Sequence, residues 1–220
     1  AASPLVNGNP WYKDYRNKSG ELIFNPTYDP QKWVKAAEAC KLCIDEAEKA
    51  GYKLYKEYND DGSIDPFMST YNVHLKRWSE GNREITFPVT KGNAYKQIDG
   101  LLNWCSVREV GGGNGLGVYQ GLVDAFFTKN GLPISDVNSN YNEEGFSNAV
   151  DTRNTKWEYG TGKPGEVTAK HTYNMYCNRE PRFYNAVTYN GAWLTYVNRK
   201  VDMFYNHKDN IQSSSPHDAP

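Results

Sequence analysis

Chemistry on sugars needs two carboxylates, set about 5 Å apart for retention or further apart for inversion. Glu84, Glu109, Asp124, Glu143, Glu144 and Glu158 supply carboxylates, but no two form a recognisable pair, and a solvated face is the default for the adjacent Glu143 and Glu144. His74, His171, His207 and His217 stand in no nucleophile context, and no G-x-S-x-G elbow occurs. Cys40 and Cys43 have the spacing of a redox pair or of half a zinc site. Zinc needs two further ligands, and Cys105, Cys177 and the scattered histidines offer no second pair. The expectation is therefore that Cys40 and Cys43 are small buried hydrophobes on one face of a helix. The glycine run from Gly111 to Gly117 precedes a helix-like stretch, where phosphate could meet a helix N-terminus. It has no G-x-G-x-x-G register and no following G-K-[ST], so it reads as a surface loop. These residues point away from catalysis, nucleotide binding and metal ligation, and no cofactor is expected.

Recognition without chemistry asks for less: an aromatic face for C–H stacking and planar polar groups for paired hydroxyls. The chain has 17 Tyr, 6 Trp and 8 Phe at a mean hydropathy of −0.80, a bias towards rings with one apolar face and one polar edge. Trp78, Tyr95, Asn103, Trp104 and Arg108 bring that mixture together in loop sequence, with Asn82 beside them, and form the candidate glycan-binding set. Trp11-Tyr12 and Trp157-Glu158-Tyr159 are further aromatic loop pairs, and each ring is open to either role, packing or ligand face. The 25 basic residues balance 26 acidic ones, leaving no electrostatic case for nucleic acid or an anionic membrane. No apolar run approaches the roughly 20 residues that span a bilayer.

The elements that must hold these groups are mostly helical. Asp29-Pro30 gives an N-cap and a first helical position, apolar residues recur at Trp33, Ala36, Ala37, Cys40, Ile44 and Ala47, and Gly51 ends the stripe. Asp65-Pro66 repeats the signal for a helix to about Trp78. Arg83 to Val89 alternates as a half-buried strand, and Tyr119 to Thr128 reads as a further helix closed by Asn130-Gly131. A weak helical turn is expected near Glu143 to Asn148. Strands 184–190 and 192–197 form a hairpin across Asn190-Gly191. In the segment NREPRFYNAVTYNGAW, Arg179, Glu180 and Arg182 precede residues that look core-bound. Charges there are costly to bury unpaired, so they are expected to be paired and to lock a corner over a buried Phe183.

Three segments carry a family resemblance, in the family's order: DPQKWVKAAEACKLCIDEAEKAGYKLY, with Ala2-Ser3-Pro4-Leu5 and Asn7-Gly8-Asn9 ahead of it; VYQGLVDAFFTKNGLPI; and REPRFY with the later NG. The wording resembles the SusD/RagB family of glycan-binding outer-membrane lipoproteins of Bacteroidetes. The resemblance implies a mainly α fold with minor β: tetratricopeptide-like helices, a loop-rich subdomain and a small β-hairpin or sheet. Residues 29–51 would be one tetratricopeptide-like helix, 60–208 the loop-rich subdomain and 209–220 a mobile tail, the whole being a central fragment without the lipid-anchored N-terminus. The implied function is nutrient uptake at the extracellular face of the outer membrane: capture of oligosaccharide and delivery to a SusC-like TonB-dependent transporter, without enzymatic activity. Family members can carry structural calcium, but no calcium-loop motif is visible. The other readings are a secreted polysaccharide-active enzyme or its carbohydrate-binding module, and a purely structural interaction protein. The family's motifs are scaffold, with the glycan site on variable loops.

Overall fold

A computed structural model of the chain describes residues 2–87, 117–159, 163–194, 199–204 and 207–209. It divides into two compact units, Ala1–Leu54 with Arg83–Thr86, and Tyr55–Asn82 with Phe87–Pro220. Helices are the larger elements in both, with minor β structure: four α-helices among the described residues, and four two-stranded antiparallel ladders.

The first unit is a loop followed by one long helix, α1 (Gln31–Lys49). Asn7 is buried, and its side-chain amide accepts from Asp29 N–H and donates to Asp29 C=O, fastening the loop to the helix start. Asp29 in turn accepts from the Gln31 N–H at 2.9 Å, satisfying one of the unpaired donors of the first turn. Gly51 at φ +88° ends the helix as its sequence position suggests. The expected stripe is present but buries nothing within the unit: no residue of α1 is buried, and Trp33, Leu42 and Ile44 are exposed. Cys40 and Cys43 are also exposed free thiols, which corrects their reading as buried hydrophobes. The tetratricopeptide-like partner helix is not among the described elements.

The second unit holds the core. Strands β1 (Glu57–Tyr58) and β2 (Ile64–Asp65) form a short hairpin that leads directly into α2 (Pro66–Val73). Asp65 is fully buried and caps α2 by accepting from Phe67 and Met68 N–H, as the Asp-Pro signal predicts. The same carboxylate accepts from Thr155 Oγ1 at 2.6 Å and Lys156 N–H at 2.7 Å, joining the hairpin to a segment ninety residues away. The helix expected to reach Trp78 stops at Val73. Asn82, buried, donates to the carbonyls of Val73 and Lys76 there. The described part of the strand expected over 83–89 has no strand.

Helix α3 (Gln120–Ala125) confirms the helix expected after the glycine run, though it is shorter. No helix forms over 143–148, where Phe146 instead bridges to Tyr173. Strands β3 (Asp151–Thr152) and β6 (Glu166–Thr168) pair, as do β4 (Glu158–Tyr159) and β5 (Lys163–Pro164). The expected strand over 184–190 is overturned: Pro181–Ala186 is helix α4, since Glu180 and Pro181 supply an N-cap and a preset first position. Asn190-Gly191 does turn the chain. The pairing it leads into is β7 (Trp193–Leu194) with β8 (Arg199–Lys200), so the hairpin lies after the turn rather than across it. Phe67 of α2, Tyr184 of α4, and Tyr176, Phe183 and Tyr189 stack with ring centroids 4.9–6.3 Å apart in one aromatic core that also takes in Val123, Val167 and Val201.

Candidate functional site

The charged corner is built around Arg179, which is fully buried. Its Nη1 donates to Met175 C=O at 3.0 Å, and its Nη2 donates to Val123 C=O and, at 2.8 Å, to Phe126 C=O. Val123 and Phe126 stand at the C-terminal end of α3, where helix carbonyls lack partners and the helix dipole is negative, so a cation is favoured there. The rings of Phe183 and Tyr141 lie 5.0 and 5.5 Å from the guanidinium carbon and add cation–π attraction. Carbonyl dipoles and aromatic faces thus hold this charge, while Nε has no hydrogen-bond partner among the described residues. Around it the chain pairs with itself. Glu180 N–H donates to Phe127 C=O, Phe127 N–H donates to the Glu180 carboxylate, and Lys129 N–H donates to Asn178 C=O. Tyr184 hydroxyl accepts from Arg179 N–H and donates to Tyr176 C=O, and burial pushes its pKa up to about 12. The segment LVDAFFTKNG and the segment NREPRFY are therefore two halves of one hydrogen-bonded assembly.

Beside this assembly lies a cavity of about 180 Å³, lined by Thr128, Asn140, Tyr141, Asn142, Asn174, Cys177 and Asn178. Two of its walls need an unusual backbone: Asn140 and Asn178 both have φ of +55°, the left-handed region that Asn tolerates better than most residues. Asn142 accepts from Glu144 N–H at 3.3 Å, and the Asn174 amide donates to Glu144 C=O at 2.5 Å. Among the described residues, the side chains of Asn140 and Asn178 have no hydrogen-bond partner. Burial, reinforced by Glu143, raises the Tyr141 phenol above its ordinary value, and burial pushes the Cys177 thiol up to about 11. Both keep their protons at neutral pH, so the wall offers hydrogen-bond donors and acceptors rather than a nucleophile.

Trp78 occupies a 3-10 turn, Trp78–Glu80, closed when the Glu80 carboxylate accepts from Arg77 N–H at 2.9 Å. That bond holds the Glu80 carboxyl below its ordinary range. Gly81 follows at φ +89°, and the Trp78 ring is about half exposed, at 48%.

The SusD family model matches residues 82–220, more than half of the chain and all of the corner and the cavity. The chain belongs to the SusD family. The solved structure of selenomethionine BT4246 superposes on 87% of this chain with a TM-score of 0.54 at 23% identity, so the likeness is one of fold. The chain spans about a third of that structure's length, 35% of it. No curated protein matches.

Of the sequence-predicted glycan set, Trp78 is placed with an accessible ring. Tyr95, Asn103, Trp104 and Arg108 lie outside the described residues, as do Cys105 and the glycine run over 111–116. Asn82 does not join a sugar platform, because its amide is buried against the carbonyls that follow α2. The asparagine-lined cavity was not foreseen from the sequence. Its signal was the alternation Asn138, Asn140, Asn142 followed by Asn174 and Asn178, amides concentrated in loops beside Tyr141. Read as turn formers alone, they give no sign that they line one cavity.

Proposed function

We propose that this chain is the carbohydrate-holding part of a cell-surface glycan receptor that captures oligosaccharide and passes it to a SusC-like TonB-dependent transporter in the outer membrane. The family match over residues 82–220 carries the reading. Among the described residues no helix is long and apolar enough to cross a membrane. Attachment in this reading is through a lipid anchor. The groups gathered in the second unit suit holding rather than turnover: amides, a phenol and a thiol that keep their protons, and an exposed indole at Trp78.

Trp78, Tyr95, Asn103, Trp104 and Arg108 form the proposed ligand platform, with the indoles stacking on sugar C–H faces and the amide and guanidinium bridging hydroxyls. Affinity electrophoresis through a panel of polysaccharides tests the function, run beside a reducing-end assay. Retardation without release of reducing ends is expected. Release of reducing ends would replace the receptor by a polysaccharide-active enzyme. Trp104→Ala is expected to abolish retardation while the melting temperature stays within a few degrees, because stacking on one ring is worth about 1–3 kcal/mol of binding by analogy with base stacking. Unfolding of that variant, or unchanged binding, would remove Trp104 from the platform.

A further inference from the structure

We infer that the asparagine-lined cavity between Tyr141 and Asn178 is a separate sugar position that takes one uncharged monosaccharide unit, an assignment that rests on the glycan-receptor reading above. Its volume, about 180 Å³, is roughly that of six liquid waters, enough for a single ring and too small for a chain segment. Its available hydrogen-bonding groups are balanced. Among the described residues, Asn140 and Asn178 keep both ends of their amides free. Asn142 commits only its oxygen, to Glu144 N–H, and Asn174 only its nitrogen, to Glu144 C=O. Tyr141 adds an aromatic wall. An amide donates and accepts, and so does a sugar hydroxyl, so neighbouring hydroxyls on one ring match this set of groups.

The charge of the surroundings narrows the ligand class. Among the described residues, no charged side chain lines the cavity. The nearby cation, Arg179, is fully buried with its terminal N–H groups bonded to Met175, Val123 and Phe126 carbonyls, so it cannot reach a ligand. An anion would find no cation in the described wall. A cation would find no carboxylate in the described wall, and an apolar group would leave the amides unpaired. A neutral polyhydroxy ring is the chemistry that remains.

The test uses the chain itself. In a titration with neutral methyl glycosides (gluco, manno and galacto), the side-chain NH₂ signals of Asn140, Asn142, Asn174 and Asn178 are expected to shift in nitrogen-15 correlation spectra, and with glucuronate they are expected to stay fixed. Asn140→Gly keeps the left-handed backbone while deleting the amide, and Asn142→Ala removes an exposed side chain, so both variants are expected to fold. Together they should weaken retention on the wild type's best neutral polysaccharide by about tenfold or more. Full retention by the double variant, with the four amide signals unmoved in wild type, would overturn the cavity assignment and leave the receptor reading standing. Equal response to glucuronate would overturn the neutral class. A wild type that binds no polysaccharide of either charge would overturn the receptor reading and this inference with it.

Discussion

Arg179 and Arg182 sit three positions apart in one motif and have opposite surroundings. Arg179 is at 0% exposure with three carbonyl acceptors, whereas the Arg182 side chain is 61% exposed and pairs with Glu180 at 2.6 Å. The sequence marks the corner as structural, since buried charge needs partners, and this holds. It does not say which arginine is inside, because that depends on where the end of α3 comes to rest. The large cost of removing a buried, paired arginine therefore falls on Arg179 and not on Arg182. Arg179→Ala leaves the interior carbonyls of Met175 and Phe126 unsatisfied, takes one of two donors from Val123 C=O, and is expected to lower stability by more than about 3 kcal/mol. Arg182→Ala removes a largely solvated guanidinium and leaves the Glu180 carboxylate its Phe127 N–H donor, so it is expected to change stability by less than about 1 kcal/mol. Chemical denaturation of the two variants side by side checks the order. Equal losses would mean that the guanidinium at 179 does not hold the corner.

Caps were the most legible feature at the level of helices and strands, and strand pairing the least. Asp29, Gly51 and the pair Asp65-Pro66 mark helix ends within a residue or two because capping is local chemistry. The aromatic alternation from Phe183 to Tyr189 misled for the opposite reason: helix and strand both bury alternate aromatics over so short a span, and Pro181 decides for a helix. Asp65 joins both levels, as a cap and as the acceptor for Thr155 and Lys156. Asp65→Ala is expected to cost about 3 kcal/mol or more, a fall of roughly 6–12 °C in melting temperature for a chain of this size. A fall under about 2 °C would show that water replaces those bonds. At the β7–β8 hairpin, Arg199 grips buried Asp209 with two 2.6 Å bonds, and Asp202 N–H adds a third at 2.7 Å. Burial alone would raise the Asp209 carboxyl, but these donors outweigh it and hold it below its ordinary value. A depressed folded value means stability that is fully present above about pH 3.9 and lost as pH falls through the folded value. Asp209→Asn is thus expected to be less stable than wild type at about pH 6, with the gap narrowing below about pH 4. A gap that stays constant down to about pH 2 would remove the carboxylate from the account.

At the scale of the whole molecule, apolar burial is distributed very unevenly. Phe67, Val167, Phe183, Tyr189 and Val201 of the second unit are at 0–2% exposure, whereas among the described residues of the first unit only Ala2 and Asn7 are buried. The amphipathic stripe of α1 is plain in the sequence, yet a stripe says only that a face suits burial and not that this chain buries it. Isolated helices of about 12–15 residues are marginal in water, and α1, at 19 residues, has the exposed i,i+3 pair of Lys49 with Glu46 among its few supports. Core elements open only with global unfolding, while an element without buried contacts opens for almost nothing. Hydrogen exchange on this chain is therefore expected to separate the two units sharply. Amides of α1 should exchange within seconds to minutes, and those of 166–168 and 183–187 should persist for hours under the same conditions. Addition of a glycan that binds the second unit should slow exchange there and leave α1 unchanged, because ligand stabilises only what it touches or what unfolds with it. Protection of α1 equal to that of α4 would show that its apolar face is covered in solution, and the stripe would then mark an interface.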